Sequence, residues 1–68
     1  MISERLLAAL GADSSHVEPI AHRKVRIAVD DVDRRYRDAI KSGAIPRDSN
    51  AYELLDPPTH IRVLLVRR

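Results

Sequence analysis

The sequence predicts a mainly α-helical domain with a C-terminal β-strand arm that pairs with another chain. Three observations lead there: one helical apolar face from Val25 to Ile40, a leucine-rich segment closed by Gly11, and a strand-like tail after a double proline.

On a wheel advancing about 100° per residue, Val25, Ala28, Val29, Val32, Tyr36, Ala39 and Ile40 fall within roughly 120°, the width of a face packed on a core. Val29, Val32, Tyr36 and Ile40 are the expected packing residues. Asp30 with Arg34, Asp31 with Arg35, and Asp33 with Arg37 are acid-before-base pairs at i, i+4, each contributing about 0.2–0.5 kcal/mol. Ile27 lands on the wrong side of this wheel. A strand reading competes, because Val25, Ile27 and Val29 alternate with Lys24, Arg26 and Ala28. Asp30 then becomes an N-cap, Asp31 and Asp33 fall in the first turn, and the fold becomes a small α+β one with strands at 24–29 and 60–66. Ala28 fits only the helix, Ile27 only the strand.

At the N-terminal end, Ser3 caps a short helix through Leu10, and Gly11 ends it in the left-handed conformation. Two turns do not persist alone in water, so the face of Leu6, Leu7 and Leu10 must dock. Residues 12–18 read as a polar connection, and Glu18 before Pro19 suits the start of the long helix. Gly43 terminates that helix. Residues 44–50, with Pro46, read as an irregular loop, with Ile45 tucked against the helix end. Ser49 then caps a single helical turn through Ala51–Leu55, which Asp56, Pro57 and Pro58 stop. Residues 1–56 thus form a helical body and residues 57–68 an arm.

The arm, Thr59 to Arg68, has the alternation and composition of a strand, and Val63 to Val66 are apolar on both faces. If residues 24–29 are helical, its backbone groups must be satisfied in trans, by a copy of the chain or by a different protein. Ile61, Val63, Leu64, Leu65 and Val66 are the expected partner contacts.

A chain of 68 residues makes one domain, which buries only about 60% of the surface exposed on unfolding. With no Cys, no Phe and no Trp, it lacks disulfides and large aromatics, which favours oligomerisation as the compensating device. The net charge is +2 and the pI about 9.5, but acids interleave with bases. Ten of the twelve basic residues are Arg, a bias that fits a GC-rich coding genome or a need for bidentate anion contacts, the first being the preferred explanation. Leu6–Leu10 is too short and too acidic in context for a signal peptide, and no apolar run spans a membrane. The expected location is the cytoplasm or an assembled particle.

No residue set points to catalysis, metal or cofactor. His16, His22 and His60 are widely spaced, whereas zinc needs at least three converging ligands. Asp30, Asp31 and Asp33 each have an arginine four residues on, the pattern of a solvated ion-pair face. The serines lack an elbow motif, and Gly11 and Gly43 are too isolated to cradle a phosphate. Neither an enzyme nor a small-molecule substrate is expected.

Arg23, Lys24, Arg26, Arg34, Arg67 and Arg68 are candidate phosphate contacts. With Lys24–Val29 as a strand ahead of a helix, the chain resembles the ribbon-helix-helix repressors, which implies a dimer with that strand in the major groove. The would-be second helix from Ser49 stops at Asp56, and a further strand follows. The leading expectation is a non-enzymatic interaction or assembly subunit, by analogy an accessory component of a larger, including viral, particle. A dimeric nucleic-acid-binding regulator is the alternative.

Overall fold

The computed structural model describes residues 1–68. Two helices, α1 (Glu4–Leu10) and α2 (Val32–Lys41), pack on one side of a five-stranded mixed sheet. The strands are β1 (Val17–Ala21), β2 (Lys24–Val29), β3 (Ile45–Asp48), β4 (Glu53–Asp56) and β5 (Ile61–Arg67), in spatial order β1-β2-β5-β4-β3. Only β2 and β5 are parallel neighbours; the other pairs are antiparallel. The chain is therefore a small α+β domain, which overturns the mainly helical expectation.

The overturning begins at residues 24–29. Val25, Ile27 and Val29 are buried while Lys24, Arg26 and Ala28 are half-buried, the two-residue period of a strand. A spacing of four residues satisfies both that period and the helical one, so Val25 and Val29 lined up with Val32 and Tyr36 by coincidence. Ile27, fully buried, was the residue that told the two apart. The break falls at Asp30 and Asp31: Asp31, not Asp30, is the N-cap, its carboxylate accepting from the Arg34 amide at 3.3 Å. Asp30 accepts from the Asp31 amide at 2.8 Å and pairs with Arg35 at 2.7 Å. The i, i+4 ladder consequently shrinks to Arg34, which lies 4.0 Å from both Asp30 and Asp38.

Three further segments expected as helix or loop are strands. Glu18 and Pro19 lie in β1, residues 45–48 form β3 rather than an irregular loop, and Glu53–Asp56 is β4 rather than the end of a capped turn. Both β1 and β3 are edge strands, each holding one proline, where a missing amide donor removes no ladder bond to a further strand. The turns also lack the usual glycines. Arg23, Tyr52 and His60 adopt positive φ of 52°, 55° and 58°, a conformation that costs a non-glycine residue about 1–2 kcal/mol.

The C-terminal segment is the centre of the sheet, not an arm. β5 pairs with β2 from Lys24↔Arg62 to Val29↔Arg67 and with β4 from Glu53↔Leu64 to Asp56↔Ile61. Its backbone is met on both sides within one molecule, so no pairing in trans is required.

The core joins Ile2, Leu6 and Leu10 from the N-terminal segment to Tyr36 and Ala39 of α2 and to Val25, Ile27, Val29, Leu54, Val63 and Leu65 of the sheet. α1 has the caps its sequence predicts, Ser3 at one end and Gly11 at φ +61° at the other. Gly11 is doubly constrained, since a Cβ there would lie 2.5 Å from the Arg35 guanidinium. Asp56, the one buried charged residue, ties the N-terminal segment to the β4–β5 turn. Its carboxylate accepts from the Ser3 amide and hydroxyl at 2.9 Å each and from the Thr59 hydroxyl at 2.7 Å.

Candidate interaction surfaces

Alternation along the strands sends one set of side chains into the core and the other to a face without helices. That open face carries Lys24, Arg26 and Ala28 of β2, Arg62, Leu64 and Val66 of β5, and Glu53 and Leu55 of β4. Leu55 and Leu64 are diagonal neighbours across the β4–β5 ladder, with Ile45 opposite Leu55 on the far side. Together with Ala28 and Val66 they form an apolar stripe across the sheet. Two ion-pair groups cross it. Glu53 receives Lys24 at 3.6 Å and Arg62 at 3.7 Å, and Glu18 receives Arg26 at 2.7 Å. The stems of these long side chains cover part of the stripe, which is why its leucines are half-buried although no helix lies over them.

The five expected partner contacts therefore divide between two faces. Val63 and Leu65 are buried in the chain's own core, Ile61 is half-buried on that same side, and only Leu64 and Val66 face outward. The helix-packing set divides too. Tyr36 is buried on α2 and Val32 packs partly against the core, but Val29 belongs to β2 and Ile40 is exposed.

The candidate phosphate contacts do not converge. Lys24 and Arg26 share the open face and are carboxylate-paired, Arg23 sits in the β1–β2 turn donating to the Thr59 carbonyl at 3.3 Å, and Arg34 is on the outer side of α2. Arg67 and Arg68 lie at the far end of β5, where the Arg68 amide donates to the Val29 carbonyl. Nor is Lys24–Val29 a free ribbon, because both of its edges are paired in cis.

The acidic residues around the start of α2 each engage a group of the chain itself. Asp31 caps the helix, Asp30 holds Arg35, and Asp33 accepts from the Tyr52 hydroxyl. Arg35 keeps the Asp30 carboxyl far below the usual carboxylate range, and the bond to Asp33 raises the Tyr52 phenol. No group of three or more His, Cys, Asp or Glu side chains is arranged to hold a metal. Tyr36 packs edge-on against Tyr52 with ring centroids 5.5 Å apart. Burial raises the Tyr36 phenol, and its hydroxyl has no hydrogen-bond partner.

A second uncovered region lies on the helical side. Packed helices stand about 8–10 Å apart and strands about 4.8 Å, so two helices cover roughly four strands. Along β1 the shortfall leaves a groove of about 570 Å³, lined by Met1, Ile2, Val17, Pro19, Ala21 and Ile61 together with Ser14, Arg23, Lys24 and Thr59. A second cavity, sharing Met1, Ile2 and Ser14 with it, lies along the flank of α1 formed by Glu4, Leu7 and Ala8 and reaches Ala12 and Asp13. Sequence reasoning missed this groove, since it read Glu18 and Pro19 as the approach to a helix. The alternation Val17, Pro19 was the available signal, cut short by the register shift before Ala21 and by a hairpin turn, His22–Arg23, that contains no glycine. No family model matches the chain, and no curated protein or solved structure does so either.

Proposed function

We propose that this protein is a non-enzymatic assembly subunit that associates with further copies of itself through the open face of its sheet. The observation that carries this reading is the apolar stripe Ile45, Leu55, Leu64, Val66 and Ala28, left without a covering layer. Two features favour a face over an edge as the contact. Prolines occupy both edge strands, which discourages strand addition. The charges beside the stripe are paired within the chain, Lys24 and Arg62 sharing Glu53 and Arg26 holding Glu18, so covering the face leaves one surplus positive charge rather than several unpaired ions.

Sedimentation equilibrium from micromolar to millimolar concentration tests this reading. The expected result is a mass rising above that of the monomer in the native chain and staying monomeric in Leu64→Glu. A native chain that is monomeric throughout the range overturns it. Nucleic-acid binding is the weaker alternative, because the arginines are scattered and neither tyrosine lies on the open face to stack a base. Duplex titration at low salt is expected to give no binding.

A further inference from the structure

We infer that two copies of the chain pair about a two-fold axis running along the apolar stripe of the open face, so that their strands cross at about 90° and the basic flank of one stripe lies on the acidic flank of the other. This pairing rests on the open face being the contact between copies, and it adds how the second copy sits and which charges select it.

The register of the sheet sets the direction of the stripe. Ile45 and Leu55 share one row across the strands, Leu64 lies in the next row, and Val66 and Ala28 share the one after. Between Ile45 and Ala28 the stripe passes from β3 to β2, across strand spacings that sum to about 14 Å, while it advances two same-face steps along the strands, also about 14 Å. It therefore runs at roughly 45° to the strands. Two such stripes coincide only when the strands of the two sheets cross at about 90°, one of the two angles at which sheets pack face to face. With strands aligned, the stripes cross, and each lies largely on charged side chains of the other copy.

Charge decides between the two ways of laying stripe on stripe. Lys24, Arg26 and Arg62 flank it on one side, with Glu18 beyond Arg26, and Glu53 flanks it on the other, with Asp48 opposite it in β3. A two-fold along the stripe exchanges the flanks and sets basic on acidic, whereas a two-fold across the stripe sets basic on basic. Within the chain, Glu53 serves both Lys24 and Arg62, while Asp48 accepts from the Asn50 and Ala51 amides at 3.0 and 3.4 Å and pairs with no basic side chain. Superposing the stripes brings Arg62 of each copy over Asp48 of the other. The cation left over in one chain thus meets the carboxylate left over in the second. Arg47 falls in the bulge between Pro46 and Asp48, outside the paired register. Burial, and after it the Asp48 charge, raises the Tyr36 phenol, so this carboxylate lies at the rim of the sheet, its field reaching both faces.

Sedimentation equilibrium comes first: a native chain that stays monomeric to millimolar concentration overturns the contact itself and this pairing with it. In the dimer, a short bismaleimide is expected to link Ile45→Cys to itself, because Ile45 ends the stripe and meets Ile45 of the second copy, and not to link Ile45→Cys to Ala28→Cys. A two-fold across the stripe reverses that pattern, and aligned strands leave the two Ile45 residues on opposite edges, about 19 Å apart, with no link. Either pattern in a chain that dimerises overturns the pairing and leaves the open-face contact standing. Arg62→Asp and Asp48→Arg, each shown folded by circular dichroism, are each expected to dimerise at least about tenfold more weakly than the native chain. Their equimolar mixture is expected to regain the native affinity, since both contacts between the two chains then join opposite charges. A mixture no stronger than its components also overturns the pairing. Should Asp48→Arg not fold for want of its bonds to the Asn50 and Ala51 amides, the Ile45→Cys link decides.

Discussion

The two faces of this sheet are built from the same strands, often from adjacent residues, yet they are held by different physics. On the helical side, Ile27, Leu54, Val63 and Leu65 are sealed from water, and burial of this kind contributes about 1.5–3 kcal/mol per large side chain. On the open side, Leu55, Leu64 and Val66 keep part of their surface wet beneath ion pairs that contribute about 0–1 kcal/mol each. The difference teaches that stability and association can be assigned to alternate residues of one strand. β5 carries both: Val63 and Leu65 hold the fold, and Leu64 and Val66 remain available.

Substitutions break or sharpen that contrast. The largest effect is expected from Val63→Asp, which buries an unpaired charge in the central strand; the domain is expected to be unfolded by circular dichroism at room temperature. Asp56→Ala comes next. It leaves two hydroxyls and one amide without their acceptor, a cost of about 2–3 kcal/mol by urea denaturation. Leu64→Glu, one residue from Val63 but on the open face, is expected to change monomer stability by less than about 1 kcal/mol. Should it unfold the chain as Val63→Asp does, the division of labour between faces fails.

Tyr36→Phe removes a buried hydroxyl that has no partner and is expected to be neutral or to stabilise by up to about 1 kcal/mol. The smallest effect concerns pH. Asp30 has its carboxyl lowered from 3.8 by Arg35, so what this pair contributes is present above that value. It is lost as pH falls below 3.8 toward the lowered folded-state value, because the unfolded chain takes up the proton first. Melting temperatures across the acid range are expected to fall less steeply in Arg35→Ala than in the native chain.

Legibility in the sequence followed the range of the forces involved. The α1 caps, Ser3 and Gly11, are local and could be read directly. The pattern from Lys24 to Ile40 was ambiguous because four-residue spacing serves helix and strand alike; Ile27 decided it only once a sheet existed to bury it. β1, β3 and β4 were not legible. They are short, they carry prolines, and their turns use Arg23, Tyr52 and His60 in a conformation that glycine usually signals. Of the open face, Lys24, Arg26, Leu64 and Val66 were singled out as separate candidates, but nothing linear in the chain placed them side by side.

By itself the sequence determined the local features: the capped first helix, the strand character of residues 61–67, a second helix through Tyr36 and Ala39, and the want of any cysteine for a disulfide. Tertiary structure decided what the last strand pairs with. That choice is non-local, since Lys24 meets Arg62 and Glu53 meets Leu64 only after the intervening chain has folded back. A strand's hydrogen-bonding groups carry no mark of their partner. Placing β5 between β2 and β4 satisfied them inside one molecule and turned an expected arm into the centre of the fold.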